Sequence, residues 1–238
     1  MMNEHTTKAF DVDLQELTRK VAEMGGLAEK EISDAVQALT RRDGDLAKRV
    51  VAADPTIDAL QREIEEKGIL TIARRQPMAV DLREVVCALR VANDLERIGD
   101  LAKNIAKRVV ALGGEFHPQK LIRGVEHMAA LVLGQLKQVL DAYAGRDLAS
   151  ALAVWKGDEE IDAMCTSLFR ELLTYMMEDP RNITFCIHLM FCAKNIERIG
   201  DHATNIAETV FYMIEGQQIL DKRPKGDMTN FATTVPGN

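Results

Sequence analysis

Asp94-Leu-Glu-Arg-Ile-Gly-Asp-Leu-Ala-Lys-Asn-Ile-Ala106 returns, scarcely altered, as Asn195-Ile-Glu-Arg-Ile-Gly-Asp-His-Ala-Thr-Asn-Ile-Ala207, a displacement of 101 residues. Self-similarity at a fixed offset over most of a chain marks one structural unit that has been duplicated. Both copies keep a glutamate and an aspartate four positions apart, Glu96 with Asp100 and Glu197 with Asp201. Four residues along a helix place two side chains on one face, one turn apart. Each copy therefore holds a carboxylate pair able to act together on one cation.

Around this stretch the apolar residues recur three or four apart, the spacing of amphipathic helices. A first helical segment runs from Phe10 to Leu39 and ends at Arg42-Asp-Gly-Asp45, where Asp43 or Asp45 is placed to cap the next helix. A second runs from Leu46 to Ile72 and is interrupted at Asp54-Pro55. Proline there implies a kink or a restarted turn, with Asp54 at the N-cap position. Gln76-Pro77 closes it, and Ala79 to Leu112 forms a third. Gly113-Gly114, followed by Glu-Phe-His-Pro118, is the clearest boundary, after which Leu121–Ala144, Asp147–Met177 and Pro180–Ile214 repeat the plan. Three amphipathic helices with short connections bury their stripes as an antiparallel bundle. The expected fold is all-α: two tandem antiparallel three-helix bundles, over 1–114 and 115–215, with 216–238 as a loose polar tail.

Composition agrees with that reading. A 47% hydrophobic content is far from that of a disordered chain, while only 5% aromatics and six prolines favour helices. The net charge is −7 and no basic cluster stands out, so direct nucleic-acid binding is not expected. The longest apolar runs, such as Met128 to Leu133, are too short to cross a bilayer, and Met1 to Lys20 lacks a signal-peptide core. A cytoplasmic location is the resulting expectation. Cys87, Cys165, Cys186 and Cys192 have no paired spacing and read as buried, reduced thiols.

In steps of four, the third helix of the first half reads Ala88, Ala92, Glu96, Asp100, Asn104, and its twin reads Leu189, Ala193, Glu197, Asp201, Asn205. The acids prolong a small or apolar row that faces another helix, so they are half buried and need something to offset their desolvation. The second helices carry a matching device, Asp54-Pro-Thr-Ile-Asp58 and Asp158-Glu-Glu-Ile-Asp162. Each half thus brings Asp54, Asp58, Glu96 and Asp100, or Asp158, Asp162, Glu197 and Asp201, to helices that can lie antiparallel. Two readings stay open: a carboxylate site for Mg²⁺, Mn²⁺, Fe or Zn²⁺, or charge networks with Arg97, Lys103 or Lys107 that orient the helices.

Arg97 and Arg198 are expected to pair with Asp100 and Asp201. Gly99 and Gly200 sit mid-helix, where glycine costs about 1 kcal/mol relative to alanine, which close approach beside the acids would justify. Asn104 and Asn205 suit either hydrogen bonding to the carboxylates or an ordinary interhelix bond. His188 is expected to be half buried with its bonds satisfied, His202 to point away from the acids, and Trp155 with Met176-Met177 to serve packing.

Glu-Arg-Ile-Gly-Asp followed by Ala-x-Asn-Ile-Ala, twice, together with Gln76-Pro77 leading to Asp81-Leu-Arg83 and the Asp-x-x-Ile-Asp elements, strongly resembles the PhoU family of phosphate-transport accessory and regulatory proteins. The resemblance spans nearly the whole chain. It implies tandem three-helix bundles, often as homodimers, in which repeated [Glu/Asp]-x-x-x-Asp elements bind multinuclear metal clusters; on this chain these are the same eight carboxylates. It implies as partners a phosphate-importing ABC transporter, through its ATPase, and a membrane sensor histidine kinase, with phosphate-starvation genes held off when phosphate is plentiful. Membrane association would come only through those partners. Leu101 stands where the second copy has His202, so the two sites need not be equal.

Three functions compete on these residues. One is a non-enzymatic regulator docking through metal-loaded acidic faces. Another is a carboxylate-bridged dimetal oxidase or hydrolase, disfavoured because such bundles use Glu-x-x-His elements and none occurs here. The third is a purely structural helical adaptor.

Overall fold

In α1 (Met2–Arg41) the residues Leu17, Val21, Met24, Ala28, Ile32, Ala35 and Leu39 recur at helical spacing and are all buried, so one apolar stripe runs from Leu17 to Leu39. Arg42 turns the chain in the left-handed region (φ 56°). Asp43 then caps α2 (Gly44–Ala53), its Oδ1 accepting from the Asp45 and Leu46 amides at 3.1 and 2.8 Å. Pro55 opens α3 (Pro55–Arg75), where its missing amide hydrogen costs no helical bond. Left-handed Gln76 ends α3, and α4 (Val80–Leu112) closes the first half at left-handed Gly113. This computed structural model describes residues 2–113 and 119–221, with side chains described from residue 9 and, after the linker, from residue 120.

The second half restates the plan. α5 (Gln119–Gly145) ends at left-handed Arg146, and Asp147 caps α6 (Leu148–Lys156) through the Ala149 and Ser150 amides. α7 (Asp158–Glu178), a 3₁₀ turn at Pro180–Asn182 and α8 (Ile183–Glu215) complete it. The single helix expected over Asp147–Met177 is broken at Gly157 although no proline is present. There the Gly157 carbonyl accepts from Gln135 Nε2 of α5 at 3.0 Å, a partner invisible in the local pattern. The kink expected at Asp54-Pro55 is present, but Asp54 itself is helical (φ −45°, ψ −41°) and makes no capping bond. Its carboxylate is drawn to Lys103 of α4 instead.

The architecture is all-α: two tandem antiparallel bundles, each a three-helix plan with its second helix in two pieces. They do not stand apart. The most extensive helix–helix contact joins α4 to α8 across the halves, and α1 also packs on α5. Alanines 88, 92 and 102 of α4 and 193, 203 and 207 of α8 are buried, and such small side chains permit close approach of the long helices. One continuous hydrophobic core results. Truncating a fully buried member such as Leu95 to alanine would cost about 2–5 kcal/mol.

Among the described residues no helix is long and apolar enough to cross a membrane. No disulfide joins the four cysteines, all of which are buried, and burial pushes Cys87 up to about 11 and Cys192 up to about 12, which keeps these two as thiols. Of the expected tail, Gly216 ends α8 and Ile219 packs on the core, while 222–238 lie outside the described residues. Gly114 to Pro118 of the expected boundary also lie outside them.

Candidate functional site

In the first half the α4 row passes from the fully buried Ala88 and Ala92 to the partly exposed Glu96 and Asp100, and then to the exposed Asn104. Buried Asp54 at the α2–α3 kink and half-buried Asp58 in the first turn of α3 face this row. Lys103, one turn beyond Asp100, reaches back between the helices. Its Nζ donates to Asp54 Oδ2 at 2.7 Å and to Asp100 Oδ1 at 2.5 Å. Burial opposes its charge, but these two bonds outweigh burial and hold the ammonium above the usual lysine range. Arg97 lies at 3.4 Å from Glu96 Oε2 and 3.7 Å from Asp100 Oδ2, the pairing expected of it. Burial raises the Glu96 carboxyl above its ordinary value, Arg97 opposing and Asp100 and Asp58 adding to the rise.

A fifth carboxylate, missed in the sequence, completes this cluster from α1. Glu31 is only 6% exposed, and no hydrogen bond reaches its buried Oε2. Burial, with Asp54 adding and Lys103 opposing, raises its carboxyl to about 7. The signal was present: Met24, Ala28, Glu31, Ala35 and Leu39 share one buried stripe, and an acid on such a stripe demands explanation. Gly99 makes the room. A β-carbon there would lie 2.9 Å from Ile57 Cδ1 and 3.6 Å from Glu31 Oε2.

The second half holds its acids deeper and differently. Asp158, Asp162 and Glu197 are buried and Asp201 is half buried. Thr204, at the position of Lys103, donates from Oγ1 to Asp158 Oδ1 at 3.3 Å, which fixes Asp158 against the helix that carries Glu197 and Asp201. Lys194 pairs with Glu197 Oε1 at 3.0 Å from the preceding turn. Arg42-Asp43 matches Arg146-Asp147, and this register puts Gln135 where the first half has Glu31. Gly200 faces Ile161 as Gly99 faces Ile57, so the backbone framework is common to both halves.

Between the halves, His202 Nδ1 lies 2.8 Å from Asp94 Oδ1, and Asn205 Nδ2 donates to the same oxygen at 3.4 Å. His202 thus does point away from its own acids, and Asn205 serves α4–α8 contact and not the carboxylates of its row. His188 is half buried, but the expectation of satisfied bonds fails: its Nδ1 has no hydrogen-bond partner, and burial with Arg108 nearby lowers its pKa. Trp155 donates to Glu208 at 3.1 Å and packs as expected. Met176 packs on the core, whereas Met177 projects outward, 84% exposed, because the two are adjacent and only one can face inward.

The expected convergence of carboxylates is incomplete. Among the described residues no three His, Cys, Asp or Glu side chains are arranged to hold a metal ion. In the first half an ammonium lies between Asp54 and Asp100. The donor set itself suits a hard cation: five carboxylates from α1, the α2–α3 kink, α3 and α4, with buried oxygens on Glu31 and Glu96 that no hydrogen bond satisfies.

Comparison with known proteins bears on both halves. Residues 21–109 and 125–210 each match the family model described as the PhoU domain. A phosphate-specific transport system accessory protein PhoU homolog of Rhizobium meliloti is 60% identical over 235 residues, 99% of each chain. The Escherichia coli accessory protein PhoU is 38% identical over 91% of this chain and 89% of its own. The crystal structure of PhoU from Pseudomonas aeruginosa superposes with a TM-score of 0.84 at 39% identity, covering 87% of this chain and all of the other. That of the phosphate transport system regulatory protein PhoU from Streptococcus pneumoniae gives 0.81 at 28% identity, covering 88% and 99%.

Proposed function

The chain belongs to the PhoU family, and from that premise we propose that it is a non-catalytic accessory protein of a phosphate-specific transport system, a negative regulator of phosphate uptake and of phosphate-starvation signalling. The observation that carries this reading is the PhoU-domain match in both halves, joined to 60% identity over 99% of a relative named as such an accessory protein. In this reading the chain works as a cytoplasmic homodimer. It links the ATPase of a phosphate ABC transporter to a sensor histidine kinase and meets the membrane only through them.

The docking faces are the acidic ones. Asp54, Asp58, Glu96 and Asp100, and in the other half Asp158, Asp162, Glu197 and Asp201, would hold divalent or trivalent cations such as Fe, Mn, Mg or Zn. A bound ion would neutralise the clustered carboxylates and tie their helices together. The side chains themselves set where charge accumulates: the kink at Asp54-Pro55 and the restart after Gly157 turn the first acid of each pair toward α4 or α8.

Affinity capture with the transporter ATPase and with the kinase, each with and without divalent ions, tests the reading. Specific retention of both is expected, weakened by chelator. Retention of neither, with reporter genes for phosphate starvation unaffected by loss of the protein, would overturn it. A second reading, an adaptor whose acids need no metal, draws support from Lys103, which already supplies a cation to Asp54 and Asp100. Elemental analysis after purification without chelator separates the two.

A further inference from the structure

Arg83, Arg90 and Arg97 fall seven residues apart on α4 and so share one face of it, and Phe191, Arg198, Asn205 and Tyr212 repeat the same step on α8. The two rows meet along the outer edge of the α4–α8 contact. At one end Cζ of Arg83 and of Arg90 lies 5.9 and 5.2 Å from the centre of the Tyr212 ring; at the other, Cζ of Arg108 on α4 lies 4.2 Å from the centre of the Phe191 ring. Between these ends Asn205 donates to Asp94 across the helices, and Arg97 and Arg198 are exposed. The five arginines make no basic run in the sequence, yet together they line about 37 Å of surface, the rise of α4 from Arg83 to Arg108. The carboxylates beside them are engaged elsewhere, Asp94 by His202 and Glu208 by Trp155. Among the described residues no carboxylate forms an ion pair with Arg83, Arg90, Arg108 or Arg198; Arg97 alone has acids near it, Glu96 at 3.4 Å and Asp100 at 3.7 Å. A chain of net charge −7 thus keeps four arginines of one stripe unneutralised by its described acids.

We propose that this stripe docks an acidic segment of another protein, laid along the α4–α8 seam with its carboxylates on the arginines. Charge complementarity carries the choice of occupant. A guanidinium held over an aromatic face keeps its N–H edge free, and that edge matches a carboxylate in two-pronged fashion. Phe191, 47% exposed, adds an apolar contact at the far end. The residues that follow the described chain open with Lys222, Arg223 and Lys225, whose charge is wrong for this surface, so the chain's own C-terminal segment is not the occupant. Nucleic acid and anionic membrane are also unsuited, because a broad polyanion would be pressed against Glu96, Asp100 and Asp201 beside the rows, where a narrow acidic segment fits between them. The inference goes beyond the accessory role proposed above: it needs no metal, and it adds a basic docking face to the acidic ones.

The test titrates the full chain against a fluorescein-labelled peptide of repeated Asp-Glu-Leu triplets, with binding read by anisotropy and a repeated Asn-Gln-Leu peptide as the neutral control. The acidic peptide is expected to bind and the neutral one not. Arg90→Gln with Arg198→Gln should weaken binding about tenfold, the loss of two exposed charge-assisted contacts. Arg49→Gln with Arg62→Gln removes the same charge from exposed positions on α2 and α3 and should leave affinity unchanged. In the unsubstituted chain, modification by phenylglyoxal, read by mass spectrometry, should fall at Arg90 and Arg198 when the peptide is added and stay constant at Arg49. Equal weakening by the two pairs of substitutions would reduce the effect to net charge and overturn the proposal, as would the absence of peptide binding. Tighter binding of oligothymidylate or of phosphatidylserine vesicles through the same two arginines would overturn the choice of a protein segment. Loss of self-association in the Arg90 and Arg198 variant, read by light scattering, would make the stripe a contact between copies and overturn it too. Retention of the transporter ATPase and the kinase is measured separately, so the accessory reading can fail or hold independently of these results.

Discussion

The first half neutralises its acids with Lys103, a lysine built into the cluster and bonded to two carboxylates on different helices. The second pairs Glu197 with Lys194 from the preceding turn and joins Asp158 to a threonine hydroxyl that it shares with the Gly200 carbonyl. Glu31 against Gln135, Lys103 against Thr204 and Leu101 against His202 separate two sites that otherwise share four carboxylates, a facing isoleucine and a glycine. Duplication preserved the geometry that gathers negative charge, and divergence acted on how that charge is balanced. Because unpaired buried charge is among the costliest features of a fold, a few such positions are enough to make two copies chemically unequal.

The sharpest way to break the comparison is to give the second half the first half's charge. Gln135→Glu adds a fifth carboxylate and replaces the donor to the Gly157 carbonyl by an acceptor. It is expected to destabilise the chain by about 3 kcal/mol in urea unfolding with chelator present. Adding Thr204→Lys should recover part of that loss. A loss below about 1 kcal/mol would mean the second cluster already tolerates the charge.

Next in size is a pH effect that originates in the first half, at Glu31. With the Glu31 carboxyl raised to about 7, the folded chain holds a proton that the unfolded chain has released, from the ordinary glutamate value up to that point. Stability therefore falls as pH rises through this window and levels off above it, by about 2–3 kcal/mol from this residue. In metal-free urea unfolding at pH 5 and pH 8, Glu31→Gln should flatten the difference by that amount. An equal slope in both proteins would show that Glu31 is not the titrating group.

His202→Leu makes the second copy resemble the first at the residue that bridges the halves. Asp94 is nearly buried and would keep only the long bond from Asn205. A loss of about 1–2 kcal/mol in thermal or urea unfolding is expected, and no loss would show that α4–α8 packing alone fixes the halves. The smallest effect distinguishes the glycines. A β-carbon at Gly99 meets Ile57 at 2.9 Å, while at Gly200 it meets Ile161 at 3.2 Å. Gly99→Ala should therefore be less favourable than Gly200→Ala by up to about 1 kcal/mol; the reverse order would contradict the tighter packing at Gly99.

Periodicity, caps and the repeated motif made the helices, their order and the acidic faces legible before any coordinates, because each depends on residues three or four apart. Asp43 as a cap and the break at Asp54-Pro55 belong to that local class. The break at Gly157 was not legible, since no proline marks it and the Gln135 amide that meets its carbonyl lies on another helix. Nor does Asp54 take the capping role that its position suggests: a lysine 49 residues away outcompetes the local amides for its carboxylate. Glu31 is a lone acid on an apolar helix stripe, a signal in the sequence, but that it joins the acids of α3 and α4 depends on what packs over it.

The sequence by itself determined that the chain is helical, built twice, and marked in each copy by carboxylates one helical turn apart, since hydrophobic spacing and side-chain direction along a helix are local properties. Tertiary structure alone decided that a fifth acid is buried beneath the first cluster, that Lys103 occupies it, and that His202 makes its hydrogen bond across the halves to Asp94. Those choices depend on which helices meet and how deeply, and burial is what turns a charge from surface decoration into a group that must find a partner.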